Sequence, residues 1–127
     1  MAELIRSFRD LRVYQEVFAL QQDIFLASKR WPREEQYSLT DQIRRASRSI
    51  GANIAESWAK RRYPAHFVSK LTDADGEAQE TSHWLATAAA CAYLDDQQYV
   101  NLLTRIEAVG SKLGKMISKP EAFAPRF

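Results

Sequence analysis

The stretch Glu80-Thr81-Ser82-His83 comes nearest to a metal-binding signature in this sequence, with a carboxylate and an imidazole three residues apart. In di-iron and di-manganese carboxylate bundles two helices each carry such an E-x-x-H, and two further helices each add a Glu. Glu56 is available as one such addition. The rest of the set is missing. The only other histidine is His66, and Glu107 has no histidine three residues on. Glu80 and His83 also lie off the apolar stripe defined by Ala78 and Leu85, so they project away from the interior where ligands must converge. The single cysteine, Cys91, excludes an internal disulfide or a multi-thiolate metal site and suits a reducing cytosol. Its place in the run Thr87-Ala88-Ala89-Ala90-Cys91-Ala92 predicts a small buried residue rather than a nucleophile. Glycine-rich phosphate loops, G-x-S-x-G elbows and paired catalytic carboxylates are absent. The expectation is a protein that is not an enzyme, with no cofactor, no metal and no small-molecule substrate.

Positive charge is what the sequence does concentrate. Between residues 39 and 63, Arg44, Arg45, Arg48, Lys60, Arg61 and Arg62 stand against Asp41 and Glu56, a net +4. Between 64 and 92, Lys70 stands against Asp73, Asp75, Glu77 and Glu80, a net −3. A basic segment is thus followed by an acidic one, and three arrangements satisfy them. The two can pair flank to flank within one molecule, or between subunits, or the arginines can bind phosphate. On a helical wheel of about 100° per residue, Arg44, Arg48, Ala52, Ala55, Ala59 and Arg62 lie opposite the apolar stripe. Aromatic side chains for stacking bases are sparse on that segment, Trp58 and Tyr63 being the candidates. Gln42, Ser49, Asn53, Glu56 and Lys60 share one shoulder of the stripe. Such a partly buried polar seam must be hydrogen-bonded, and it predicts a role in helix register and assembly, as a buried Asn has in coiled coils.

The elements that carry these residues follow from periodicity. Val13, Val17, Leu20, Ile24, Ala27 and Trp31 recur at steps of four and three until Pro32. Ser38 and Asp41 offer an N-cap hydroxyl and a first-turn carboxylate for the stripe Leu39, Ile43, Ala46, Ile50, Ile54 and Ser57. Pro64 opens a third run, from Phe67 and Leu71 through Ala74, Ala78, Thr81, Leu85 and Ala88 to Ala92. After Leu94-Asp95-Asp96, with its capping Asp, come Tyr99, Leu103, Ile106, Gly110, Leu113 and Ile117, closed by Pro120. The spacing predicts helices over 11–31, 39–62, 64–92 and 96–118 of one domain, packed as an antiparallel up-down-up-down left-handed four-helix bundle. The third helix is the longest and is expected to overhang. The terminal arms, with Leu4, Ile5, Phe8, Phe123 and Phe127, are expected either to fray or to dock on a neighbouring subunit. With 18 Lys and Arg against 16 Asp and Glu, net +2, the totals alone do not indicate nucleic acid. No apolar leader and no membrane-length run occurs, so a cytoplasmic location is expected.

Phe8–Gln15 (FRDLRVYQ), Trp31–Ser57 (WPREEQYSLTDQIRRASRSIGANIAES) and Asp73–Glu80 (DADGEAQE) resemble the bacterial four-helix-bundle proteins encoded by intervening sequences within 23S rRNA genes. The similarity runs in order from Phe8 to Ile117. Its most specific part is Gln42-Ile43-Arg44-Arg45-Ala46, then Ser49-Ile50, then Asn53-Ile54-Ala55-Glu56. This chain departs from the usual pattern at Gly51, where the family has Pro, at Ser57, where it has Gly, and at Glu77, where it has a small polar residue. The resemblance implies a homopentameric four-helix bundle with no established biochemical activity. The positions matching its signature are Gln42, Arg44, Arg45, Ser49, Asn53, Glu56 and Glu80, and none brings a catalytic role. More remotely similar bundles accompany diversity-generating retroelements, where a basic pentamer engages a reverse transcriptase and nucleic acid, which by analogy makes RNA the expected partner.

Overall fold

The structure, a computed structural model, describes residues 4–125. It is all-α: α1 (Arg12–Ser28), α2 (Leu39–Ala59), α3 (Pro64–Ala90) and α4 (Asp96–Ser118), with no strand among the described residues. The principal pairings are α1 with α2, α2 with α3, α3 with α4 and α4 with α1. No helix among the described residues is long and apolar enough to cross a membrane.

The helix ends show which local signals act. α1 stops at Ser28, three residues before the expected Trp31, because the amides of Lys29, Arg30 and Trp31 donate to the carbonyls three residues back. The chain tightens there ahead of Pro32, and Trp31 remains buried. Ser38 stands at the N-cap of α2 without capping it; its hydroxyl donates to Glu35 Oε1 at 2.7 Å. Pro64 occupies the first turn of α3. Asp95 caps α4, accepting from the Gln98 amide at 2.7 Å while Gln98 Oε1 accepts from the Asp95 amide at 3.0 Å.

At the C-terminus of α3 the Tyr93 amide donates to the Ala88 carbonyl and the Ala92 amide to that of Ala89, a Schellman closure. It forces Ala92 to a φ of 63°, a conformation that favours glycine. This closure corrects two expectations. Ala92 is exposed rather than the last member of the α3 stripe, and Cys91, at the C-cap, is exposed rather than buried.

Every expected α2 stripe residue is buried, as are Phe67, Leu71, Ala74, Ala78, Thr81, Leu85 and Ala88 of α3. In α1 Val13, Val17, Leu20 and Ile24 are buried and Ala27 half-buried. α4 is rotated from its expected register. Its buried column is Leu102, Ile106, Val109, Leu113 and Met116, leaving Tyr99, Leu103, Gly110 and Ile117 half-buried beside it. Two adjacent apolar columns run along α4, and its packing between α1 and α3 decides between them.

The described parts of the arms pack on the chain's own helices rather than fraying. Ser7 and Asp10 form a capping box around the 3-10 turn Phe8–Asp10, and the Phe8 ring meets Tyr14 edge-on at 4.8 Å. After the 3-10 turn Pro120–Ala122, Phe123 packs on the buried ring of Phe67 at 5.6 Å. Leu4 is exposed, and Phe127 lies outside the described residues.

At one end of the molecule the Tyr93 hydroxyl donates to Glu35 Oε2 at 2.9 Å, and its ring lies 6.0 Å from that of Trp31. The bond to the carboxylate pushes the Tyr93 phenol up to about 12, and the Ser38 hydroxyl first, then that of Tyr93, holds the Glu35 carboxyl below its usual range. The α1–α2 connection is thereby tied to the α3–α4 turn.

Candidate nucleic-acid interface

The two exposed flanks of α2 face different neighbours. On the α1 side, Arg44 and Arg48, one turn apart, reach the Phe25 ring on α1. The Arg44 guanidinium lies 4.8 Å from the ring centroid and that of Arg48 5.4 Å. Lys29 joins them, its Nζ 4.8 Å from the same centroid. Arg44 Nε also donates to Ser28 Oγ at 2.9 Å, which fixes the guanidinium over the ring. None of the three cations has an ion-pair partner among the described residues, and Asp41, bordering the groove of Arg44, Arg45 and Arg48, forms none with them. The arginines therefore lean on α1 rather than standing free on a solvated back. Neighbouring like charges held without counter-ions attract an anion.

Arg48 also borders a second groove of about 300 Å³ between α1 and α2. Its walls are Phe8, Tyr14 and Phe18, and its floor is Gly51, Ala52 and Ala55. A Cβ on Gly51 would stand 3.5 Å from Tyr14 Cε1 and 3.6 Å from Val17, ordinary contact distances that leave room for a methyl group but little beyond it. Tyr14 and Phe18 are 6.2 Å apart between ring centroids, and Phe18 is 48% exposed. These aromatics, sparse on α2 itself, reach the arginines from α1. A Tyr14, Phe18, Phe25 spacing on one helix face, next to a basic helix, is the signal that sequence reading passed over.

On the α3 side the charges are matched. Arg45 pairs with Glu80 at 3.6 Å and donates to Gln42 Oε1 at 3.0 Å. Glu56 pairs with Lys70 at 2.8 Å, a bond that lowers the Glu56 pKa and raises that of Lys70. The second pair has the reverse polarity to the first, so this flank is complementary residue by residue rather than basic against acidic.

The expected polar seam lies along the same flank with Gln42, Ser49, Asn53 and Glu80 half-buried, while Glu56 and Lys60 are exposed. Ser49 Oγ donates to the Arg45 carbonyl at 2.8 Å, and Asn53 Nδ2 to the Ser49 carbonyl at 2.9 Å. Beside it Glu77 is half-buried, its Oε2 shut from solvent without a partner. Burial first, then the neighbouring Glu80, pushes its carboxyl above the usual range.

The remaining basic residues sit at the C-terminal end of α2. Arg61 folds back, donating to the Trp58 carbonyl at 2.8 Å with its guanidinium 4.2 Å from the Trp58 ring. Lys60 is exposed and adds a weaker pull on the Glu56 carboxyl; Arg62 is also exposed. The structure does not bring these three together with Arg44 and Arg48. As for E-x-x-H, Glu80 is engaged by Arg45, and exposed His83 rests against the Trp84 ring at 4.7 Å. Among the described residues no group of three or more His, Cys, Asp or Glu is placed to hold a metal ion.

Comparison with known proteins places the chain. The family model described as "23S rRNA-intervening sequence protein" matches residues 9–115. The chain belongs to this family. A solved structure of a protein with unknown function from the S23 ribosomal protein family, from Bacteroides thetaiotaomicron VPI-5482, is similar with a TM-score of 0.74 and 27% identity. The match covers 84% of this chain and 95% of that one. No curated protein matches the sequence.

The three departures from the usual family pattern now have structural addresses. Gly51 is buried on α2 and faces Tyr14 and Val17 of α1. Ser57 is fully buried, and its hydroxyl donates to the Ile54 carbonyl at 2.6 Å. Glu77 is the carboxyl with the raised pKa beside Glu80.

Proposed function

We propose that this member of the 23S rRNA-intervening sequence protein family is a non-enzymatic RNA-binding scaffold of the cytoplasm. Each chain forms an antiparallel up-down-up-down left-handed four-helix bundle, and copies assemble as a pentamer. The observation carrying the RNA reading is the set Lys29, Arg44 and Arg48, gathered on Phe25 without a carboxylate partner among the described residues. The family's description, which ties these proteins to an rRNA intervening sequence, makes RNA the polyanion to try first. The closed series of helix pairings and the short connections support the bundle topology.

Lys60, Arg61 and Arg62 extend the phosphate-binding surface toward the end of α2, and Arg45 adds to it where Glu80 leaves its guanidinium exposed. Binding of rRNA fragments is expected to weaken steeply with salt and to be weaker in an Arg44→Ala/Arg48→Ala variant. Absent or salt-insensitive binding rules the reading out. Light scattering tests the assembly, with a mass five times the 14.6 kDa of one chain expected.

A purely structural assembly is the second reading, and the Arg45–Glu80 pair favours it. The complementary charges on α2 and α3 could also pair between copies. On that reading Arg45→Glu lowers the mass seen in light scattering, and no RNA is bound.

A further inference from the structure

We infer that the α1–α2 face is a platform for single-stranded nucleic acid, where a base stacks on Phe18 and adjoining phosphates meet Arg48, Arg44 and Lys29. This rests on the reading of α2 as a nucleic-acid-binding helix and names the form of nucleic acid it takes.

Phe18 is a large ring half in water, beside Tyr14 and above a floor of Gly51, Ala52 and Ala55. Small floor residues leave a slot of about 300 Å³ open against the rings. Arg48 belongs both to this slot and to the cation set on Phe25, so the aromatic and basic surfaces are continuous. Phe18 and Phe25 lie seven residues apart on α1, about 10 Å along one helix face. The ring and the cations are thus successive stations along one path. An unpaired base presents a π-face that an exposed aromatic can take, whereas bases inside a duplex are stacked on each other and show only edges and backbone. Three cations without an ion-pair partner among the described residues supply the complementary charge. An apolar protein segment would fill the slot but would leave the Phe25 cations without phosphates, and a lipid surface would offer phosphates without a base to stack on Phe18.

The test uses the full chain, a labelled single-stranded RNA oligonucleotide and its duplex, followed by fluorescence anisotropy over a salt series. The single strand is expected to bind more tightly than the duplex. Loss of one stacked base in Phe18→Ala should weaken binding about 5-fold or more, with the salt slope unchanged and Phe18→Trp restoring affinity. Arg44→Ala/Arg48→Ala should instead flatten the salt slope by about 1.4, at roughly 0.7 per single-strand phosphate. Circular dichroism checks that Phe18→Ala, a surface change, leaves the helices intact. If duplex and single strand bind equally, or Phe18→Ala binds like the unaltered chain while the arginine variant fails, the platform is wrong and phosphate binding by α2 stands. If neither RNA binds, including the case in which the chain binds anionic lipid vesicles alone, the platform and the underlying reading fall together.

Discussion

The two flanks of α2 use similar side chains to opposite ends. Toward α3, Arg45 meets Glu80 and Glu56 meets Lys70, so both of these α2 charges are answered within the chain. Toward α1, Arg44 and Arg48 meet a phenylalanine ring and another cation. An exposed ion pair contributes at most about 1 kcal/mol, and an exposed cation–π contact about as much, so neither flank outweighs the other in stability. They differ in what they leave over. Ion pairing on one side leaves little field to attract a partner; stacking orders the guanidinium groups on the other and leaves their charge unspent. A basic helix is therefore not one surface, and the role of each arginine is set by the neighbouring helix.

The largest expected effect removes the support both flanks share. Ile54 is fully buried, so Ile54→Ala should cost about 2–5 kcal/mol in urea denaturation. RNA binding should then fail only as the fraction folded falls. Next comes a substitution aimed at the α1 side. In Gly51→Leu, atoms beyond a Cβ already in contact with Tyr14 and Val17 would crowd α1, at a cost of about 1–3 kcal/mol. Hydrogen exchange should quicken in α1 more than in α3; equal quickening would mean the flanks are not separable.

A smaller effect of opposite sign is expected on the α3 side. Glu77→Gln removes the charge from a carboxyl with a buried, unpartnered oxygen and should gain about 1 kcal/mol at pH 7. The sign follows from the raised pKa of Glu77. The folded state holds that proton more tightly, so its stabilisation is complete below the unfolded value and is lost as pH rises through the folded one. The advantage of the variant over the unaltered chain should therefore shrink as pH falls through the raised folded value toward the reference value of 4.5, and change no further below it. A gap that stays constant with pH would contradict this.

The smallest effect is Lys70→Ala, which breaks the ion pair with Glu56 and should cost no more than about 1 kcal/mol. That loss should nearly vanish in high salt, while RNA affinity stays unchanged.

Legibility in the sequence followed the kind of signal. The α2 stripe could be read residue by residue because apolar side chains recur there in a single column flanked by charge. α4 could not, because Tyr99 and Leu103 compete with Leu102 and Val109, and only neighbours on both sides choose between two columns. Ser38 stands where an N-cap should, yet Glu35 captures its hydroxyl across the preceding turn. Cys91 reads as buried by composition and is exposed because the helix ends one residue earlier, in a Schellman closure around Ala92.

Periodicity, capping residues and prolines are local, so the sequence by itself determined four helices, most of their inward faces and the concentration of charge on α2. Which charges are answered and which are left open depends on residues far apart in the chain, Arg45 with Glu80 and Arg44 with Phe25. Only the tertiary structure decided that, because the angle at which one helix lies against the next determines which side chains meet.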